Sequence, residues 1–108
     1  SGNTTVVLAS TRAPLPAMTF AEVLATSDLP AGVCNILTGQ KSELAPWFAS
    51  HMDIDGLDIS GVDESSRSDI KIAGVENLKR IHVFDGAATP QRIFAFMEAK
   101  TVWHPIGV

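Results

Sequence analysis

The chain has 108 residues, a formal net charge of −4, 45% hydrophobic and 19% charged residues. That is one domain at most, too apolar to be disordered and too acidic to favour nucleic acid or an anionic membrane. One cysteine, Cys34, excludes an internal disulfide and fits a reducing, cytoplasmic setting.

In chain order, Thr4 to Leu8 is a β-branched run that predicts a buried strand. Pro14 and Pro16 sit where the first turn of a helix tolerates proline, and Ala17, Phe20, Ala21 and Leu24 fall at i, i+3, i+4 and i+7. The spacing predicts a helix that ends near Ser27–Asp28, before Pro30. Val33 to Leu37, between Gly32 and Gly39, predicts a central strand. Gln40 to Ser50 predicts a short helix with Leu44, Trp47 and Phe48 on one face and Ser42 as N-cap. Gly56 to Ser60 reads as a third strand, interrupted by Asp58. In Ser65 to Lys79, Ile70 and Ile72 alternate with charges as in a strand, but the length and the strands on both sides favour a helix. Ile81 to Phe84 is the fourth strand. Pro90 opens a helix with Ile93, Phe96, Met97 and Lys100 at helical spacing, and Thr101-Val102-Trp103 forms a strand-like arm before Pro105. Alternation of strand and helix predicts an α/β fold: an open parallel sheet of four strands with flanking helices, a C-terminal helix and the arm. No apolar stretch is long enough for a transmembrane helix, and no signal peptide opens the chain. Ser1 reads as a cloning remnant, and a start on the first residue of a strand motif reads as a fragment.

Several segments carry a family resemblance. They are Gly2-Asn3-Thr4 leading into a strand, Pro14-Leu15 opening a helix, Asp28-Leu29-Pro30-Ala31-Gly32-Val33, and Asn35-Ile36-Leu37-Thr38-Gly39. His51-Met52-Asp53-Ile54-Asp55, Ser60-Gly61 and Leu78-Lys79-Arg80 follow in order. Residues 2–90 resemble the cofactor-binding half of the aldehyde dehydrogenase superfamily, and Phe96 to Val102 resembles the closing segment of such a chain. The resemblance implies a Rossmann-like domain over 1–90 and a C-terminal segment over 91–108 for oligomerisation or docking. It implies NAD(P) as cofactor of the parent family. Between those regions the family carries its catalytic domain with the nucleophilic cysteine. Here Thr89-Pro90 runs almost directly into the tail.

The departures bear on function. By the resemblance, Leu8 and Thr11 stand where a Lys and a Glu hold the cofactor's ribose, and leucine has no donor at all. Gly61 keeps the first glycine of the pyrophosphate turn, but Ser66 replaces the second. Phe84 occupies the position of the general base and has no proton to exchange. With nucleophile, base and both ribose ligands missing, the chain resembles the catalytically silent second domain of two-domain aldehyde dehydrogenases. A pseudoenzyme is expected, with no cofactor for this chain alone and with a homo-oligomer or a catalytic aldehyde dehydrogenase domain as partner. Two alternatives stay open. One is a cofactor-binding fragment of an NAD-dependent aldehyde dehydrogenase; the other is a nucleotide-sensing module. Ser10 and Thr38, at carboxyl ends of strands, are with Gly61 and Ser66 the remaining candidates for a weak nucleotide contact.

Other features read as structure. His51, His82 and His104 have no second ligand at metal spacing, and Asp53, Asp55 and Asp58 lack the glycine and glutamate of a calcium loop. Asp85 is a poor replacement base because it faces away from Phe84 on a strand. Cys34 fits a small buried hydrophobe. Ile93, Phe94, Phe96 and Met97 give the last helix apolar residues on more than one face, and with Val102 and Trp103 they form a candidate interaction surface.

Overall fold

The computed structural model describes residues 2–99, 101–103 and 107. The elements run β1 (Thr5–Leu8), α1 (Leu15–Ala25), β2 (Cys34–Leu37), α2 (Lys41–Ser50), β3 (Gly56–Asp58), α3 (Glu64–Val75), β4 (Arg80–His82) and α4 (Pro90–Phe94). The expected alternation is present. The expected four-stranded sheet is not: β1 pairs with β2 and β3 with β4, giving two separate two-stranded parallel sheets. Register runs from Thr5 opposite Cys34 to Leu8 opposite Leu37, and from Gly56 opposite Arg80 to Asp58 opposite His82. A cleft of about 760 Å³, lined along its length by residues 2–8 and 53–62, lies where β1 and β3 would have to meet. The Phe96 ring lies over Gly56, and the Asn3 side-chain amide donates to the Phe96 carbonyl at 3.2 Å. Contact across the cleft therefore runs through the C-terminal segment.

The core sits on the second sheet alone. Ala49 of α2, Leu57 and Ile59 at β3 and Ile70 of α3 are buried together, with Ala45, Phe48, Ile54, Val62, Ala73 and Ile81 around them. The helical period explains two departures from expectation. In α2 the inward stripe is Leu44, Ala45, Phe48 and Ala49, so Trp47 points out and is 72% exposed. In α3, Ile70 is buried and Ile72 exposed, because positions two apart lie on nearly opposite faces of a helix. Ser42 does not cap α2; Gln40 holds that place without a side-chain bond.

The other sheet is thinly covered. α1 buries no residue; Ala17, Ala21 and Leu24 are half-buried, whereas Phe20, expected on the same stripe, is 54% exposed. At the C-terminus the expected long helix is a five-residue turn, and Thr101–Trp103 form no strand. Five residues leave most helical hydrogen bonds unmade, so this segment is held by Phe96 and not by its own helicity. Lys100, His104 and Pro105 lie outside the described residues.

Helix α3 closes on a left-handed residue. Leu78 has φ 51°, and the Lys79 amide returns to the Gly74 carbonyl at 3.1 Å. Glycine fits this position, whereas a β-carbon there is strained. The Leu78 side chain is 88% exposed and loses no packing on removal. Leu78→Gly is expected to raise stability by about 0.5–1 kcal/mol, read as a higher urea midpoint at unchanged slope.

Candidate functional site

The sequence-derived candidates follow the carboxyl ends of strands, the side on which open α/β sheets take ligands, but on two separate sheets: Ser10 and Thr38 beyond β1 and β2, Gly61 and Ser66 beyond β3. Ala9 continues the β1–β2 ladder, its amide donating to the Leu37 carbonyl at 2.9 Å. This sets Ser10 and Thr38 at the same end, both exposed. The Thr11 hydroxyl donates to the Gly39 carbonyl at 3.3 Å and is spent on joining the two loops. Leu8, half-buried at the end of β1, brings no polar atom to the site.

The loop after β3 is held by two cations. Lys41, the first residue of α2, donates from Nζ to the Gly61 carbonyl at 3.0 Å. Arg67 of α3 donates from Nε to the Val62 carbonyl at 3.0 Å and from Nη2 to the Ser60 carbonyl at 3.1 Å. A β-carbon on Gly61 would meet Lys41 Nζ at 3.1 Å, so the space the glycine leaves open is already flanked by a lysine ammonium. The start of α3 carries its own negative charge: Asp63 is the N-cap and Glu64 lies in the first turn. Both oppose an anion at that end of the helix. Ser66 is exposed one turn in, its amide donating to the Asp63 carbonyl at 3.0 Å.

Around Phe84 the side chains lock one another. The Phe84 amide donates to Ser60 Oγ at 2.8 Å, and the Ser60 hydroxyl donates to Asp58 Oδ1. Asp58 also accepts the Ser60 amide at 2.9 Å and pairs with Arg92 at 3.5 Å. The Arg92 guanidinium lies 5.1 Å from the centre of the Phe84 ring. His82 stacks on Phe84 at 5.6 Å, and Phe96 meets both rings edge-on, at 5.3 Å from His82 and 6.3 Å from Phe84. A hydroxyl donating to a carboxylate that is itself ion-paired is a structural link, with no free base left over to activate it.

The remaining reactive groups lie elsewhere. Cys34 opens β2, at the end of its sheet opposite to Ser10 and Thr38, and lines a small groove with Leu24, Leu29 and Pro30. His51 caps the end of α2, where its Nδ1 accepts the Asp53 amide at 3.2 Å. Among the described residues no three His, Cys, Asp or Glu side chains are placed to hold a metal ion. Nor is any helix there long and apolar enough to cross a membrane. Of the candidate interaction residues, Ile93, Phe94, Met97, Val102 and Trp103 are exposed, with Trp103 at 88%, while Phe96 is turned inward onto the aromatic cluster. Sequence reasoning missed Lys41, Arg67 and Arg92. Lys41, two residues past the strand-closing Gly39, was the one with a positional signal.

Arg92 is partly exposed, so its ion pair and ring contact are each worth no more than about 1 kcal/mol. Arg92→Ala is expected to cost about 1 kcal/mol in urea denaturation. Loss of the Phe84 ring's upfield-shifted contacts in the NMR spectrum of that variant would confirm the cause.

Comparison with known proteins gives the family. The model of the aldehyde dehydrogenase family matches residues 1–104. Cytosolic aldehyde dehydrogenase 1 of Rattus norvegicus is 34% identical over 94 residues, covering 87% of this chain and 19% of the relative. An aldehyde dehydrogenase of Emericella nidulans is 29% identical over 110 residues, covering 100% of the chain and 22% of the relative. Human cytosolic 10-formyltetrahydrofolate dehydrogenase is 30% identical over 95 residues, covering 88% and 10%. The chain thus spans about a fifth of the length of the aldehyde dehydrogenases it matches. No solved structure matches it. The chain belongs to the aldehyde dehydrogenase family.

Proposed function

We propose that this chain is a catalytically silent aldehyde dehydrogenase-family module whose role is structural: self-association, or support of a catalytic partner domain of the same family. The observation that carries the reading is Phe84. In the family pattern its place belongs to the general base, and here it is the centre of an aromatic and cationic cluster with His82, Phe96 and Arg92. Phe84 itself brings no proton acceptor to that place. The ribose positions support the same reading, since Leu8 is apolar and the Thr11 hydroxyl is engaged by Gly39. Residues 91–108 then serve as a docking segment, anchored inward by Phe96 and presenting Ile93, Phe94, Met97, Val102 and Trp103 outward.

A second reading, a nucleotide-binding fragment of an NAD-dependent oxidoreductase, is favoured by the exposure of Ser10 and Thr38 at the carboxyl ends of β1 and β2. Calorimetric titration with NAD⁺ to millimolar concentration separates the two. No binding heat and no thermal shift are expected. A dissociation constant in the micromolar range, about 8 kcal/mol of binding free energy, would replace the silent module by the second reading. Phe84→Glu is likewise expected to bring no aldehyde oxidation by the isolated chain, measured as NADH absorbance with propanal.

A further inference from the structure

The dipeptide Asp-Gly occurs twice in the chain, at Asp55-Gly56 and at Asp85-Gly86. In such a pair the backbone nitrogen of the second residue can attack the neutral carboxyl of the first. A side chain on the second residue would crowd that approach, and glycine has none. The two copies share this chemistry and have opposite surroundings.

Asp55-Gly56 leads into β3 and is held on both sides. The Asp55 carbonyl accepts the Arg80 amide at 2.9 Å, which ties its peptide plane to β4. Gly56 stands opposite Arg80 in the register, and a β-carbon on it would meet the Phe96 ring at 2.9 Å. Reorienting this peptide means parting β3 from β4, the sheet on which the core sits.

Asp85-Gly86 lies beyond the end of β4, in the link to α4, and both residues are exposed. Gly86 has φ 51°, and nothing lies within 4 Å of a β-carbon built on it. Its amide donates to the Phe84 carbonyl at 3.1 Å, and the Ala87 amide donates to the Asp85 carbonyl. Both bonds close within the turn itself. Among the described residues, no hydrogen bond or ion pair holds the Asp85 carboxylate, and Arg92 is paired with Asp58. A segment tied only to itself opens without disturbing the core.

We propose that Asp85 is a site of spontaneous isomerisation to isoaspartate, through a succinimide that the Gly86 nitrogen closes on the Asp85 side chain. The nitrogen bonds to Cγ, and its proton leaves with the carboxyl hydroxyl as water. Water then adds to one of the two imide carbonyls. Opening at Cγ restores aspartate. Opening at the backbone carbonyl leaves isoaspartate, with the main chain routed through Cβ and Cγ and the former backbone carbonyl as a free carboxylate. One water is lost and one is regained, and no oxidant or other co-reactant enters. Mass and charge are unchanged. The main chain gains one methylene between Phe84 and Pro90, in the link that sets the Arg92 guanidinium against the Phe84 ring.

The test is ageing of the folded chain at physiological temperature and neutral pH in water enriched in heavy oxygen, followed by tryptic digestion in ordinary water. Cleavage after Arg80 and Arg92 releases residues 81–92, in which Asp85 is the sole aspartate, while Asp55 falls in residues 42–67. The 81–92 peptide is expected to resolve into two chromatographic forms, the isoaspartyl form carrying the heavy oxygen. Isoaspartate at 85 is expected to exceed that at 55 by about tenfold or more, the ratio that about 1.4 kcal/mol of local opening free energy gives. In urea, with the sheet open, the two sites are expected to react alike. Asp85→Glu keeps the charge but closes a six-membered ring far more slowly, and is expected to abolish labelling of 81–92. Absence of isoaspartate at 85 in the aged, folded chain overturns the inference. So does a ratio of 85 to 55 that is the same in buffer and in urea, because the fold would then have no part in choosing the site.

Discussion

The packing of α2 on α3 across β3 is the contact on which the rest of the structure depends. Ala49 is wholly buried there, and Leu57, Ile59 and Ile70 close around it. A glycine lets α3 come close to β4 as well: a β-carbon on Gly74 would meet Ile81 Cδ1 at 2.5 Å. This core fixes β3 and β4 side by side, and their ends carry Asp58, Ser60, His82 and Phe84. The β1–α1–β2 unit has no comparable contact, and among the described residues Ala9 is its one buried hydrophobe. A two-stranded sheet with one helix is marginal on its own, because too little apolar area leaves water to offset chain entropy.

That imbalance explains what could be read in the sequence and what could not. Strand and helix order was legible because it rests on local signals: β-branched Val6–Val7, the apolar run ending in Ile36–Leu37, and Pro90 at a helix start. Union of the strands into one sheet was not legible. Alternation along the chain says that parallel strands will form, but pairing of β1 with β3 depends on edges more than 45 residues apart and on what stands between them. Trp47 and Phe20 were misassigned for a related reason: a helix rich in apolar residues offers several stripes of similar quality, and tertiary contacts choose among them.

The candidate site was legible only through absences. Phe84, Leu8 and Thr11 stood out against the family pattern because each lacks an atom the chemistry needs. The cations at the site were not visible, since Lys41, Arg67 and Arg92 reach their partners across 20, 5–7 and 34 positions of chain respectively. No local pattern encodes such contacts.

The cations also hold the loop after β3 in place. In a loop built to receive phosphate, backbone amides point at the ligand and positive charge is left for it. Here the carbonyls of Ser60, Gly61 and Val62 are turned onto Arg67 and Lys41, so the loop is satisfied from within. Asp58 and Arg92 neutralise each other across the neighbouring strand end, and Phe96 fills the space beside them. None of these contacts covers α1 or the outer side of the C-terminal segment, where Leu15, Phe20, Val23, Ile93 and Trp103 stand exposed. The loop carbonyls at the strand end are thus met from within the chain, whereas its flanks leave large apolar side chains exposed.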